Sequence, residues 1–427
     1  MIRIATLGAA SSANRGAAAM LQAVLDQLPG HLGPSRVEIL TTHPRGDRAE
    51  PPRCPEGVEL RILSARPLEL LLLLFPLALL SAAAARVGIP RRWFARTASL
   101  RALLEADLVL DLAGISFVDG RGLPILVYNT LMTGLPILLG RPVVKCSQAV
   151  GPFRRPLNRA LARLVLRRTA AVLPRGRRSA EHLAELGGVR SRPAADLAFL
   201  MRTSEEDCRA AREILGGGIV PTRGEASSGA DRWITVIPSS VVHARSRTLG
   251  IDYPARMADF IDGLIERSGS PVALVPHALR PGTRLDRMND LPTLREIHSR
   301  LRHRDRCLAV DDRFGPLTPQ RLRGVVAASE LVVTSRFHGM ISALATATPV
   351  LVLGWSHKYR EVMREFGLED DVLDFREIEE ADLVARCLAL RDDGEAVREG
   401  IRSRLPAVEA SARENIRVIV EQLGGGR

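Results

Sequence analysis

The stretch LVVTSRFHGMISALATATPVLVLGWSHKYR, from Leu331 to Arg360, decides the fold. Leu331 to Thr334 is a short apolar run without alternation, the pattern of a strand covered on both faces. Ser335, Arg336, Phe337 and His338 then lead through Gly339 into small helix-forming residues as far as Thr346. Val350 to Leu353 repeats the strand pattern, and His357 to Phe366 repeats the helix. Strands joined through a helix must run parallel, so this is a βαβ unit.

Working outward, the same alternation covers most of the 427 residues. Upstream of it, Ile234 to Ile237, Val272 to Val275 and Cys307 to Val310 read as strands, with helices near Pro254 to Glu266, Leu291 to Arg302 and Pro319 to Ser329. In the first half, Ile4 to Leu7, Val37 to Leu40, Leu108 to Leu112, Val143 to Cys146 and Ala171 to Leu173 are the expected strands. The expectation is two Rossmann-like, doubly wound α/β domains, residues 1–205 and 233–427, with terminal helices in the second. A Gly- and Ser-rich linker is expected over 206–232. Open α/β sheets bind ligands beyond the carboxyl ends of their strands, so function is expected in a cleft between the two halves.

Composition narrows the classes. The net charge is +12, but of 60 basic residues only Lys145 and Lys358 are lysines, which reads as an arginine habit rather than a nucleic-acid tail. Aromatics at 4% and the lack of a reader motif argue further against nucleic acid. Five scattered cysteines form no CxxC pair, so neither a disulfide framework nor a thiolate metal site is expected, and a reducing cytoplasm fits. The first twenty residues contain no apolar run of signal-peptide length before Asn14 and Arg15.

Two stretches stand apart. Leu70 to Ala85 holds 16 uncharged residues inside an insertion near 68–96, followed by Arg86, Arg91, Arg92 and Arg96. It is short for a span and carries Pro76 in its middle. A buried helix of the first domain and a membrane-surface insertion with arginines at headgroup level both stay open. Arg155, Arg159, Arg163 and Arg167 recur every four residues, forming a stripe opposite Leu157, Leu161 and Leu164. That stripe reads as a solvated face or as a contact for anionic lipid or an acidic lipid-linked substrate.

The chemistry-bearing candidates cluster in the opening stretch. Arg336 and His338 fall at a strand's carboxyl end beside a helix N-terminus, a place that favours an anion. Arg offers a planar fork for phosphate or carboxylate, and His moves a proton near neutral pH. Ser335 and Gly339 flank the pair, with the glycine expected to admit a ligand closely. Lys358 would reach the same edge, and His277, at another strand end, is a further candidate. Asp119 is a candidate base for a sugar hydroxyl, or a turn former.

These residues resemble the polysaccharide pyruvyl transferase family. SRFHG followed by TPVLVL and Lys358 is similar to its C-terminal motif. SQAVGPF, from Ser147 to Phe153, resembles its glutamine, glycine and proline loop, and the block around Val172, Arg175, Ser179, Leu183 and Gly187 resembles its strand, arginine and helix. Leu108 to Asp119 resembles its strand and glycine turn. Two departures are Ala17, where the family has an acidic residue, and Ala113, where it has a glycine. The resemblance implies a fold similar to GT-B glycosyltransferases and transfer of pyruvyl from phosphoenolpyruvate to a sugar as a ketal, at the cytoplasmic face of a membrane. Arg336, His338 and Arg175 would hold the donor, His338 would give the proton, and Asn14, Gly16 and Gln148 would lie on the acceptor side. The expected partners are a glycan or lipid-linked sugar and a membrane touched peripherally. Neither a cofactor nor a metal is implied. A nucleotide-sugar glycosyltransferase and a non-catalytic cell-envelope assembly protein are the competing readings.

Overall fold

The computed structural model describes residues 1–216, 233–280, 288–354, 356–376 and 379–424. The chain forms two compact units. The first comprises Met1–Ser12, Ala17–Met201 and Glu409–Arg427, and the second comprises Ala13–Gly16 and Arg202–Val408.

The first unit carries seven parallel strands: β1 (Ile2–Leu7), β2 (Ser35–Thr41), β3 (Val58–Ser64), β4 (Leu108–Asp111), β5 (Ile115–Ser116), β6 (Val143–Val150) and β7 (Ala171–Pro174). Their order is β3-β2-β1-β4-β6-β5, with β7 also pairing β6. β3 was not among the expected strands; its sequence VELRILS mixes charge with apolar residues because it lies at the sheet edge.

Among its described residues the second unit carries six: β8 (Trp233–Ile237), β9 (Val272–Leu274), β10 (Cys307–Ala309), β11 (Ser329–Thr334), β12 (Val350–Leu353) and β13 (Val372–Leu373). Their order is β10-β9-β8-β11-β12-β13, all parallel. The chain winds outward from β8 to β10 and then returns to lay β11 against β8, so the topological switch point lies between β8 and β11. Alternate residues of these strands, among them Ile234, Val236, Val333 and Leu351, pack with Phe260 and Leu264 of the helix Tyr253–Ser268 to form the core. Each such side chain contributes about 1.5–3 kcal/mol by leaving water.

Two expected boundaries shift. Residues 206–216, expected in the linker, belong instead to the helix Glu205–Gly216, whose start is fixed by Ser204 and Asp207 bonding reciprocally. The rest of that linker lies outside the described residues. The terminal helix Gly394–Gly424 begins in the second unit, but Glu409 onward belongs to the first. There Ser411 and Asn415 bond to the backbone of Ala195, and Asn415 also meets Ser147.

Residues Pro67–Arg86 form one continuous helix. Pro76 has no N–H to give Leu72, and the turn Leu70–Leu74 widens into π geometry just ahead of it. Leu70, Leu74 and Ala78 are buried in the core of the first unit, while Leu68, Leu72, Leu79 and Leu80 are exposed. Neither earlier reading describes it fully: one stripe is core and the opposite face is bare leucine.

Candidate functional site

β11 ends at Thr334, and its hydroxyl accepts the Arg336 N–H at 3.0 Å, turning the chain into the helix Phe337–Ala345. Ser335 N–H bonds the Ile237 carbonyl of β8 at 2.9 Å, which holds this turn at the switch point. A side chain at Gly339 would meet Thr334 Oγ1 at 2.5 Å and Ile237 Cδ1 at 3.1 Å. The glycine is therefore explained by helix-on-strand packing, not by the ligand approach expected of it.

The Arg336 guanidinium is anchored from one side. It pairs with Asp290 and donates to Ser240 Oγ at 2.9 Å. Asp290 in turn accepts the N–H groups of Ser240 at 2.9 Å, His277 at 3.0 Å and Ala278 at 2.8 Å. Burial alone would push the Asp290 carboxyl up, but the Arg336 charge and these donors hold it below its ordinary range. Arg336 Nε is buried and has no hydrogen-bond partner among the described residues. An anion accepting from that donor would complete the fork.

His277 and His338 lie face to face, ring centroids 6.5 Å apart and planes 13° from parallel. Burial foremost, then the neighbouring His338 and Arg336, pushes His277 down to about 3, so it is neutral at pH 7. Ser335 accepts from or donates to Tyr253 Oη at 3.3 Å, and its carbonyl accepts from Tyr359 Oη at 3.1 Å. Burial raises both phenols to about 12, so neither ionises at neutral pH. Lys358 Nζ stands 5.2 Å from the Phe337 ring centroid, one residue from His338.

The segment Ala13–Gly16 joins this cluster, although the resemblance placed it on the acceptor side with the first domain. Asn14 bridges Ala278, Arg15 N–H bonds the His277 carbonyl at 3.2 Å, and Leu279 N–H bonds the Ala13 carbonyl at 3.0 Å. Asn14 Oδ1 accepts the Gly16 N–H at 3.0 Å. A Cβ at Gly16 would fall 2.1 Å from His338 Nδ1, so only glycine lets the backbone lie against that ring.

The other expected residues are in the first unit. Arg175 pairs with Asp196 and donates to the Gly114 carbonyl at 3.2 Å. Gln148 is fully buried, donating to Asp111 and accepting from Ser116 at 2.6 Å. Asp119 accepts the N–H groups of Arg154 and Arg155 at 2.7 and 3.2 Å and the Asn158 amide at 2.8 Å. Both its oxygens anchor the start of the helix Pro156–Leu166, which is the turn-forming role that was the alternative to a base. On that helix the buried residues are Asn158, Ala162, Val165 and Leu166, whereas Leu157 and Leu164 are exposed beside the arginines. Lys145, fully buried, pairs with Asp111 and donates to Thr133 Oγ1 at 3.0 Å.

Sequence reasoning missed Asp290 and Ser240. NDLP does mark a helix start at Leu291, but nothing in its spacing signals that the preceding carboxylate serves Ser240, His277 and Arg336.

The model of the family described as polysaccharide pyruvyl transferase matches residues 14–357. The chain is similar to the amylovoran biosynthesis protein AmsJ of Erwinia amylovora, 24% identical over 301 residues, covering 70% of this chain and 69% of that protein. In fold it is similar to the UDP-GlcNAc 2-epimerase of Neisseria meningitidis bound to UDP-GlcNAc, with TM-score 0.60 and 12% identity over 99% of this chain and 100% of that one. It is also similar to a UDP-bound glycosyltransferase of Siraitia grosvenorii, with TM-score 0.56 and 10% identity over 99% and 100%. These last two likenesses establish the GT-B-like fold.

Proposed function

The chain belongs to the polysaccharide pyruvyl transferase family, and from that premise we propose that it moves the pyruvyl group of phosphoenolpyruvate onto a sugar as a cyclic ketal, releasing phosphate. The acceptor is a polysaccharide or lipid-linked glycan unit. The observation that carries the reading is the anchored Arg336, with its buried Nε, beside the His338 ring at the second unit's switch point.

Phosphoenolpyruvate brings a carboxylate and a phosphate, and a guanidinium held by Asp290 meets one of them without reorganising. Lys358, over the Phe337 ring, adds a second cation beside that turn. His338 gives a proton to the methylene carbon, and positive charge develops on the adjoining carbon, shared with its oxygen. One sugar hydroxyl adds there and loses its proton. A second hydroxyl of the same sugar then takes the place of phosphate, giving its proton to the phosphate as that group leaves with the C–O electron pair, and closes the ketal. Neutral His277 lies against His338 without adding charge.

The test is phosphate release from phosphoenolpyruvate in the presence of a candidate glycan. Release that depends on the glycan and disappears in Arg336→Ala supports the reading. Turnover of a nucleotide sugar with no response to phosphoenolpyruvate overturns it.

A further inference from the structure

Fourteen large apolar side chains are exposed among the described residues, and twelve of them lie on a single helical layer of the first unit. Met1 and Leu249 are the other two. The layer is contiguous: the turn Arg91–Phe94 packs on the helix ending at Arg86, that helix packs on Leu123–Leu138, and this packs on Pro156–Leu166. Leu72 is 71% exposed, Trp93 63% and Leu123 58%. Isolated exposed leucines are ordinary, but a contiguous patch of this kind marks an interaction surface.

Charge identifies what it meets. Between Glu69 and Glu105 there are five arginines (Arg86, Arg91, Arg92, Arg96 and Arg101) and no carboxylate. Arg155, Arg159 and Arg163 add an exposed row on the last helix of the layer. Apolar residues rimmed by arginines, with a tryptophan between, complement an anionic bilayer: leucines enter the acyl boundary, the indole sits at the interface, and guanidiniums meet phosphates. The helix Pro67–Arg86 keeps Leu70, Leu74 and Ala78 in the core of the unit, so it lies on the surface rather than crossing. We propose that this layer docks the protein on the surface of an anionic lipid bilayer.

The inference is independent of the pyruvyl-transfer chemistry. Its test uses the full chain with phosphatidylcholine vesicles, with and without phosphatidylglycerol. Wild type should sediment with the anionic vesicles, Trp93 emission should shift to the blue, and high salt should weaken both. The variant L72E/L79E/L80E should bind at least about tenfold more weakly while keeping its far-UV spectrum and melting temperature, since these side chains are exposed. The Trp93→Phe variant should still sediment but lose the blue shift. Lack of sedimentation by wild type, or equal sedimentation by the glutamate variant, overturns the proposal. So does a wild-type dimer that the glutamate variant abolishes without any vesicle binding, which would assign the face to a second copy.

Discussion

Replacing Asp290 with asparagine probes the anchor of Arg336 most sharply. One carboxylate oxygen serves Arg336 and the Ser240 N–H, and the other serves the His277 and Ala278 N–H groups. An amide has a single accepting oxygen, so in either orientation its NH2 faces two donors and two hydrogen bonds are lost. At about 1.5–3 kcal/mol for each bond to a charged group, the cost is about 3–6 kcal/mol, with the upper end reached if nothing relaxes. In either orientation Arg336 also loses its charged partner, and since about 1.4 kcal/mol is tenfold in affinity, the KM for phosphoenolpyruvate should rise tenfold or more. Urea unfolding of wild type and Asp290→Asn, followed by circular dichroism, measures the first effect, and phosphate release measures the second. A variant within about 1 kcal/mol of wild type with an unchanged KM would refute the anchoring argument.

Three further outcomes follow from the same geometry. Gly16→Ala should keep the fold but drive the His338 ring aside, lowering kcat about a hundredfold; undiminished turnover would contradict the packing seen there. His277 carries a proton in the unfolded chain below about 6.5 but in the folded chain only below about 3. Its contribution is thus full above pH 6.5 and declines as pH falls toward 3, a loss of about 2 kcal/mol at pH 5 that His277→Gln should remove from a stability-versus-pH series. Lys145→Ala should destabilise by about 3–5 kcal/mol because it strands Asp111 in the core, whereas pairing Lys145→Met with Asp111→Leu should recover much of the loss, as read by thermal denaturation.

Much of this architecture is written in local pattern. The strands buried on both faces, β1, β4, β8, β11 and β12, are apolar runs, and each was legible. β3 was not, because an edge strand need not be apolar throughout. The helix 205–216 was overlooked although Ser204 and Asp207 spell a capping pair; the glycine-rich run after it drew the linker too far forward. Within the site, Arg336 and His338 lie two positions apart in one short motif and were readable. Asp290 serves partners 13, 46 and 50 residues away, and Gly16 meets a ring more than three hundred positions along the chain, contacts that no spacing rule encodes. The two lysines of this arginine-rich chain do have a common reading. Lys145 is sealed against Asp111 and Lys358 lies over Phe337, places where a compact ammonium serves.

In the proposed reaction His338 protonates the methylene carbon of phosphoenolpyruvate before the sugar adds. Running the reaction with a competent glycan in deuterium oxide and analysing the product by mass spectrometry and proton NMR tests it directly. The expected product is a ketal whose methyl group carries one deuterium, with no such product from His338→Ala. A transferred group that retains its vinyl carbon, a methyl group without deuterium, or full activity in His338→Ala would contradict it.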